Sequence, residues 1–195
     1  DIVIGTQLVA KGHNFPRLTL VGVIDADLGL QGSDLRAAER TFQLMRQVAG
    51  RAGRSEARGT ALLQTFQPEH PVIRAILSGD EEGFWRAEAA GRREAGVPPY
   101  GRMAGIILSS TDAQEVFDFA AELARRDGPV RAIGAQVFGP APAPIARARG
   151  RHRVRLLVKA AKGVALQAAV AQWVGQLKPP GNLRLAVDID PQSFY

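Results

Sequence analysis

The chain has no cysteine among its 195 residues. It therefore forms neither disulfide bonds nor a thiolate metal site, and its three histidines are too scattered to make good zinc ligands, so we predict no metal site within it. Long apolar runs are also lacking. No stretch approaches the length that spans a bilayer, and no charged-then-apolar leader opens the chain. These absences favour a soluble protein that makes no contact with a membrane.

Two motifs of nucleotide chemistry are missing as well. No segment has the Gly-x-x-x-x-Gly-Lys-Ser/Thr spacing of a loop that cradles phosphates. No Asp-Glu pair suited to hold magnesium appears either, because Glu81 and Glu82 lie in a helical linker without an adjacent strand. We therefore expect the chain alone to be catalytically inactive towards ATP.

Acidic residues are absent over a long interval, from Asp127 to Asp188. Residues 1–98 contain 12 Lys and Arg against 12 Asp and Glu, whereas residues 99–195 contain 13 against 7. The whole net charge of +6 therefore belongs to the second half. Such an asymmetry is typical of proteins that bind a polyanion, most commonly nucleic acid.

The most specific pattern that is present alternates arginine with glycine at the end of an amphipathic segment, in residues 47–54. Arg51 and Arg54 are three residues apart, so a helix places both guanidiniums on one face. The glycines leave that face bare, and guanidinium groups suit phosphate recognition and phosphoryl transfer. The alternative is a solvated basic helix end, which the full Gln-x-x-Gly-Arg-x-Gly-Arg spacing makes less favoured.

This segment resembles the sixth motif of superfamily 2 helicases, and residues 5–16 resemble the fifth, although Asn14 stands where most members have an acid. Together with Asp-Leu-Arg-Ala-Ala-Glu-Arg at residues 34–40, these motifs are similar to the primosomal replication-restart helicases, the primosomal protein N′ family. The resemblance covers the whole chain and is strongest over residues 1–70. It implies the C-terminal part of an ATP-dependent 3′ to 5′ DNA helicase that recognises stalled forks and assembles the primosome. We expect a fragment of a longer protein, since the sequence also opens directly on an apolar run.

The resemblance implies roles for individual residues, cofactors and partners. Catalytic roles fall on Arg51 and Arg54, which would reach the γ-phosphate of ATP, and on Gln47, which would order that contact. ATP and magnesium would be bound mainly by a first lobe outside this chain, and zinc by an insertion elsewhere in the full-length protein. Branched and single-stranded DNA, other primosome proteins and single-stranded-DNA-binding protein would be partners in the bacterial cytoplasm, at the nucleoid. The nucleotide-binding residues would be Gly12, His13, Asn14, Gly50 and Gly53, and the fifth-motif residues on DNA would be Thr6, Gln7 and Lys11.

Hydrophobic patterns predict an α/β chain. Strands are expected at residues 1–6, 18–24 and 60–66 with a helix at 34–48, which agrees with the C-terminal part of a RecA-like helicase lobe over residues 1–70. Helical residues 71–99 form a linker, with Phe84 and Trp85 as packing anchors against a neighbouring domain. Residues 100–195 read β-α-β-β-α-β, the ferredoxin-like α+β arrangement. The expected elements are strands at 104–109, 135–138, 153–159 and 183–189 and helices at 112–126 and 164–177.

Five arginines in this second domain recur at every second position, so an extended backbone points all of them to one side and Val154, Leu156 and Val158 into the core. We predict that this row, with Lys159, tracks a phosphate backbone, and that His152 with Tyr100 adds stacking. The alternative is a sheet edge kept soluble by positive charge. The five are Arg147, Arg149, Arg151, Arg153 and Arg155.

A different class of function stays open. The chain would be a non-enzymatic nucleic-acid-binding module if the helicase-like half served only as a scaffold. The intact arginine pair favours the enzyme, because a scaffold has no need for both arginines at this spacing. A ribosome-associated binding protein built on the second half alone would leave residues 1–60 unexplained.

Overall fold

The computed structural model describes residues 2–5, 18–31, 34–50 and 59–192. The chain divides into two compact units, residues 1–88 and residues 89–195. The division falls inside the segment expected to be a helical linker. The described residues contain both helices and two sheets, as expected for a mixed α/β chain. None of the helices in these ranges has the length and apolar character needed to cross a membrane.

The first unit is built around two short parallel strands. Leu20 of the first strand lies opposite Thr60 of the second, and Val23 lies opposite Leu63. A helix connects the two strands, as parallel pairing requires. In chain order the elements are β1 (Leu20–Val23), a 3-10 helix (Ala26–Leu30), α1 (Ala37–Ala49), β2 (Thr60–Leu63), α2 (Pro71–Ser78) and α3 (Glu81–Ala95).

The strand expected at the start of the chain is not formed by the part of it that the structure describes. Residues 2–5 have no regular secondary structure, and Ile2 and Ile4 are 89% and 93% exposed. An apolar run becomes a buried strand only where a neighbouring strand pairs with it, and in the described part of this unit β1 and β2 pair with each other. The prediction of a buried strand is therefore wrong for these residues.

Aromatic side chains hold the helices of the first unit together. The Phe84 ring of α3 stacks on the Phe42 ring of α1, with ring centroids 4.0 Å apart and an angle of 9° between the planes. Trp85 contacts both rings edge-on. An ion pair between Arg46 and Glu81 joins the same two helices. The packing role expected for Phe84 and Trp85 is confirmed, but their partner is the helix at residues 37–49 of the same unit and not a neighbouring domain.

The second unit contains a four-stranded antiparallel sheet. The strands and longer helices follow one another in the expected order, with one additional short helix. Asp112 caps the first helix, because its carboxylate accepts hydrogen bonds from the backbone N–H groups of Gln114 and Glu115. The elements are β3 (Gly101–Ser110), α4 (Ala113–Arg125), α5 (Gly128–Arg131), β4 (Gln136–Ala148), β5 (Arg151–Ala161), α6 (Leu166–Val174) and β6 (Arg184–Ile189).

The strands lie side by side in the order β4-β5-β3-β6, so β4 and β6 form the edges. One face of the sheet packs against α4 and α6 and forms the core of the unit. Trp173 of α6 is fully buried there, and its indole N–H donates to the Leu123 carbonyl at 2.8 Å. The side chains that alternate with these core residues along the strands point to the opposite face of the sheet, which we call the open face. The fully buried core side chains include Ile106, Leu108, Val116, Leu123, Val154, Leu156, Val158 and Leu166.

Candidate nucleic-acid interface

A tight turn separates β4 from β5 in the middle of the arginine-rich segment. Arg149 and Gly150 form this turn, with φ angles of 50° and 75°. Two successive positive φ values are what a two-residue hairpin turn needs to match the right-handed twist of its strands. Glycine meets this requirement at no cost, whereas arginine rarely adopts it. Arg149 therefore lies exposed at the tip of the hairpin.

This turn divides the five arginines between two faces and a tip. Arg147 lies opposite His152, and Ala148 lies opposite Arg151. Residues directly opposite each other share a face, so Arg147 and Arg151 are on different faces of the sheet. The expectation that all five point to one side is wrong for Arg147 and Arg149, because it assumed an extended backbone through residues 149 and 150.

The rest of the row is arranged as expected. Arg151, Arg153 and Arg155 alternate along β5 with Val154, Leu156 and Val158, which are buried against the helices. The three arginines, together with Lys159 four residues further on, therefore lie on the open face. The period of two correctly predicted that these side chains share one face of the sheet.

Hydrogen bonds show how the arginines of the open face are engaged. The Arg151 guanidinium donates to the Ser109 carbonyl at 2.8 Å and also to the Asn182 carbonyl, so it links β5 to the end of β3 and to the loop before β6. Arg153 Nη1 lies 3.4 Å from the Ile145 carbonyl, and Lys159 Nζ lies 3.4 Å from the Ala95 carbonyl. Arg151 is thus mainly a structural link, whereas Arg153 and Lys159 make only long contacts.

The position of β5 excludes edge protection as the reason for its charge. β5 pairs with β4 on one side and with β3 on the other, so it is an interior strand. β4 is the edge strand, and it already carries Pro140, Pro142 and Pro144 and two shifts of register. Prolines and bulges are devices that prevent edge-to-edge pairing. The cations on the open face of β5 therefore need another explanation, and a polyanion ligand supplies one.

The structure adds one cation that the sequence patterns did not single out. Arg184 begins β6 and lies opposite Ser109, which on its other side lies opposite Arg153. The three residues form one row across the open face. In the sequence, Arg184 is one of several bases in the interval without acidic residues. Its proximity to Arg153 depends on the register of three strands, so no local pattern could identify it.

The two residues expected to add stacking are not brought together. His152 pairs with Ser110 at one end of β3, whereas Tyr100 precedes the other end of that strand. The Arg93 guanidinium lies over the Tyr100 ring, 4.7 Å from its centroid. His152 and Tyr100 therefore do not form a joint surface for bases.

Two of the site residues expected from the helicase-like motifs lie in the described ranges. Gln47 is exposed in the last turn of α1, and Gly50 ends this helix. The N–H group of Gly50 donates to the Arg46 carbonyl at 2.9 Å, and its φ of −69° is one that any residue adopts. The other expected residues of this site, for nucleotide, catalysis and DNA, lie outside the described residues: Thr6, Gln7, Lys11, Gly12, His13, Asn14, Arg51, Gly53 and Arg54.

A buried carboxylate organises the carboxyl ends of β1 and β2. Asp27 accepts a hydrogen bond from the Thr65 hydroxyl at 2.5 Å and one from the Phe66 backbone N–H at 2.6 Å. The Thr65 hydrogen bond, followed by the Phe66 N–H and the nearby His70, lowers the pKa of Asp27 below its ordinary value. The sequence patterns did not identify this residue, because its partners lie almost forty positions away along the chain.

Comparison with known proteins decides the family. A sequence profile described as "Primosomal protein N C-terminal domain" matches residues 93–192. The chain belongs to this family. The family membership expected from the helicase-like motifs is thereby confirmed.

Relatives of this primosomal protein N family extend the similarity to the whole chain. Replication restart protein PriA of Rickettsia conorii is 41% identical over 195 residues, which is 100% of this chain and 30% of the relative. The protein of the same name from Haemophilus influenzae is 35% identical over 195 residues, again 100% of this chain and 27% of the relative. The one from Bacillus subtilis is 36% identical over 194 residues, covering 98% of this chain and 24% of the relative. The chain thus spans less than a third of the length of these relatives.

Proposed function

We propose that this chain is the C-terminal part of an ATP-dependent 3′ to 5′ DNA helicase that recognises stalled forks and assembles the primosome for replication restart. The observation that carries the proposal is the similarity of essentially the whole chain to proteins named Replication restart protein PriA. This similarity includes the arginine and glycine motif of the first half as well as the C-terminal domain of the second half.

The architecture of each unit supports the proposal. In the first unit, two parallel strands joined by a helix agree with part of a RecA-like helicase lobe. In the second unit, the element order β-α-β-β-α-β and the strand order β4-β5-β3-β6 agree with a ferredoxin-like domain. We assign DNA-stimulated ATP hydrolysis to the first unit together with a further lobe, and DNA binding to the second unit.

Gly50 ends α1 within the arginine and glycine motif. Its φ of −69° does not by itself require glycine, but a Cβ atom there would lie 3.1 Å from the Arg46 carbonyl oxygen, a tight contact with the backbone of the helix. We assign a second effect to the missing side chain, which is room for a phosphate to approach. In this proposal Arg51 and Arg54 stabilise the transferring γ-phosphoryl group of ATP, Gln47 orders them, and Gly12, His13, Asn14, Gly50 and Gly53 border the nucleotide.

The DNA contacts of the proposal come from both units. Thr6, Gln7 and Lys11 contact the strand along which the enzyme moves, and the cations of the second unit contact the phosphate backbone of branched or single-stranded DNA. Magnesium accompanies ATP in the further lobe, and zinc belongs to another part of the full-length protein. Partners would be other primosome proteins and single-stranded-DNA-binding protein, at the nucleoid in the bacterial cytoplasm.

The test of the enzymatic proposal replaces one arginine of the motif in the full-length protein. We expect Arg54→Ala to lower DNA-stimulated ATP turnover by about 10³-fold or more, because arginines that stabilise a transferring phosphoryl group have effects of this size. DNA affinity is expected to stay unchanged, since backbone-binding cations lie elsewhere. Steady-state ATPase assays and DNA-binding titrations on the same preparation measure both properties.

Arg58→Ala is the matched control, because it removes the same side chain four residues beyond the motif. Turnover in this variant should remain close to that of the unmodified protein. If Arg54→Ala hydrolyses ATP as fast as Arg58→Ala, the arginine pair has no catalytic role, and the non-enzymatic DNA-binding module becomes the better description.

A further inference from the structure

The exposed cations of the second unit gather at one end of the sheet. Arg147 lies near the end of β4, Arg149 is in the hairpin turn, and Arg184 begins β6. Ser110, at the end of β3, lies opposite His152 near the same turn. Within the described part of the chain none of these three arginines makes an ion pair or a side-chain hydrogen bond. They are therefore available to an external anion.

Arg153 connects the two sides of this cationic end. It lies opposite Ser109 on one strand, and Ser109 lies opposite Arg184 on the next. Two steps of about 4.8 Å between neighbouring strands place the Cα atoms of Arg153 and Arg184 about 10 Å apart on the same face. The hydroxyl-bearing side chain between them adds a hydrogen-bond donor rather than a steric barrier.

The loop that carries Arg184 is held in place by Arg151. The Arg151 guanidinium donates to the carbonyl of Asn182, two residues before Arg184. The Asn182 side-chain amide donates to the Ser110 hydroxyl at 2.8 Å and to the Glu115 carboxylate at 3.0 Å. This network both fixes the start of β6 and occupies the Glu115 carboxylate. The loop is thus pre-organised for binding, which lowers the entropic cost of ordering a side chain.

Acidic side chains do not cancel this charge. Asp112 is engaged as the cap of α4. Asp188, on the open face of β6, lies four residues further along the strand from Arg184, at the position opposite Gly105. Four residues of an extended strand correspond to roughly 13 Å, which exceeds the screening length of about 8–10 Å at ordinary ionic strength.

We propose that Arg184 binds a backbone phosphate of DNA and that the nucleic acid crosses this end of the sheet from the hairpin tip to β6. The path then runs across the strands, rather than along β5 as the spacing of the arginines first indicated. Arg149, Arg153 and Arg184 contact the backbone, Arg147 lies on the other face of the hairpin and takes no part, and Arg151 acts only by positioning the loop of Asn182. The inference rests on the proposed DNA binding and adds the direction of the path and one residue to it.

The alternative role for Arg184 is protection of an exposed edge, because β6 is an edge strand. Arg184→Gln separates the two roles, since glutamine keeps a long polar side chain at the edge and removes the charge. Arg184→Lys keeps the charge and loses the planar, bidentate fork. Lys162→Gln is the control: Lys162 is exposed in the turn after β5, at the opposite end of the sheet.

The measurement is the anisotropy of a labelled oligothymidine titrated with the 195-residue chain at several salt concentrations, with thermal unfolding of each variant beside it. We expect Arg184→Gln to weaken binding several-fold and to reduce the slope of log affinity against log salt by about 0.7, the contribution of one phosphate contact on a single strand. Arg184→Lys should keep the slope, and Lys162→Gln should keep both affinity and slope. The melting temperature should not change in any of them.

Two outcomes would overturn different parts of the argument. If the unmodified chain does not bind the oligonucleotide at any salt concentration, the proposed DNA binding itself fails. If the chain binds but Arg184→Gln behaves as Lys162→Gln does, DNA binding stands and the path across the sheet is rejected. Self-association of Arg184→Gln with unchanged DNA affinity would assign the residue to edge protection and would likewise reject the path.

Discussion

At the scale of single residues, the clearest energetic prediction concerns Asp27. Its carboxylate accepts two short hydrogen bonds, and its pKa is lowered chiefly by the Thr65 hydroxyl. A group whose pKa is depressed on folding stabilises the native state above its ordinary pKa, and that stabilisation is lost as the pH falls through the folded pKa. We therefore expect the melting temperature of the first unit to fall on acidification below the ordinary range of aspartate.

Asp27→Asn should lower the melting temperature at neutral pH and flatten this acid dependence, because the amide has only one acceptor oxygen for two donors. Asp25→Asn is the matched control. It removes the same charge two residues away, where the side chain is exposed and where the positive φ of 55° suits asparagine equally well. Thermal unfolding between pH 7 and acid measures both. An Asp27→Asn variant with the acid dependence of Asp25→Asn would contradict the role assigned to this carboxylate.

Single residues also show where sequence patterns stop being informative. The period of two correctly placed Arg151, Arg153 and Arg155 on one face, because alternation is a local property of an extended backbone. It misplaced Arg149, since a turn with an arginine at positive φ contradicts the usual preference for Asn, Asp or Gly there. Arg184 could not be paired with Arg153 at all, because that proximity comes from strands far apart in the sequence.

At the scale of elements, the hairpin tip gives a prediction that separates folding from binding. An L-residue in the left-handed region costs about 1–2 kcal/mol relative to the right-handed conformation, and glycine avoids that cost. Arg149→Gly should therefore leave the melting temperature unchanged or raise it. The same substitution removes an exposed cation, so the affinity for DNA should fall and the salt slope should decrease by about 0.7 to 0.9.

Gly150→Ala is the complementary control for the hairpin. A Cβ atom at this position meets no other atom within 4 Å, so its cost is the strain of a positive φ alone. This variant should melt at a lower temperature and keep every charge, and at temperatures where it stays folded its salt slope should equal that of the unmodified chain. If Arg149→Gly keeps full affinity and slope, Arg149 makes no contact with the phosphate backbone.

The positions of single helices and strands were easier to predict than the strands with which they pair. The amphipathic patterns of α1 and α4 and the alternation in β5 are local, and the corresponding elements form close to the expected positions. The apolar run at residues 2–5 lacked this advantage, because whether such a run becomes a strand depends on a partner strand. The interior position of β5 likewise follows from pairing with β3, which no local pattern reveals.

At the scale of the whole molecule, charge and architecture agree in dividing the chain. The first 98 residues contain equal numbers of basic and acidic residues, and the excess of cations lies in the half that forms the four-stranded sheet. The family profile also falls on that half, whereas the relatives match the chain throughout. If the proposed function holds, binding and catalysis are expected to be separable, because the chain has an excess of cations but lacks the residue patterns that hold the phosphates and magnesium of ATP.

The last prediction follows from that separation. The 195-residue chain has no phosphate-cradling loop in its sequence, so we expect it to bind single-stranded DNA without hydrolysing ATP. A coupled ATPase assay with saturating oligothymidine tests this, with the full-length protein as the positive control and the Arg54→Ala chain beside the unmodified one. Turnover that is equal in both chains would come from a contaminating enzyme and would leave the expectation intact. Turnover that disappears in the Arg54→Ala chain would show that Arg54 acts on ATP without a second lobe, and the division of the active site between two lobes would then be wrong.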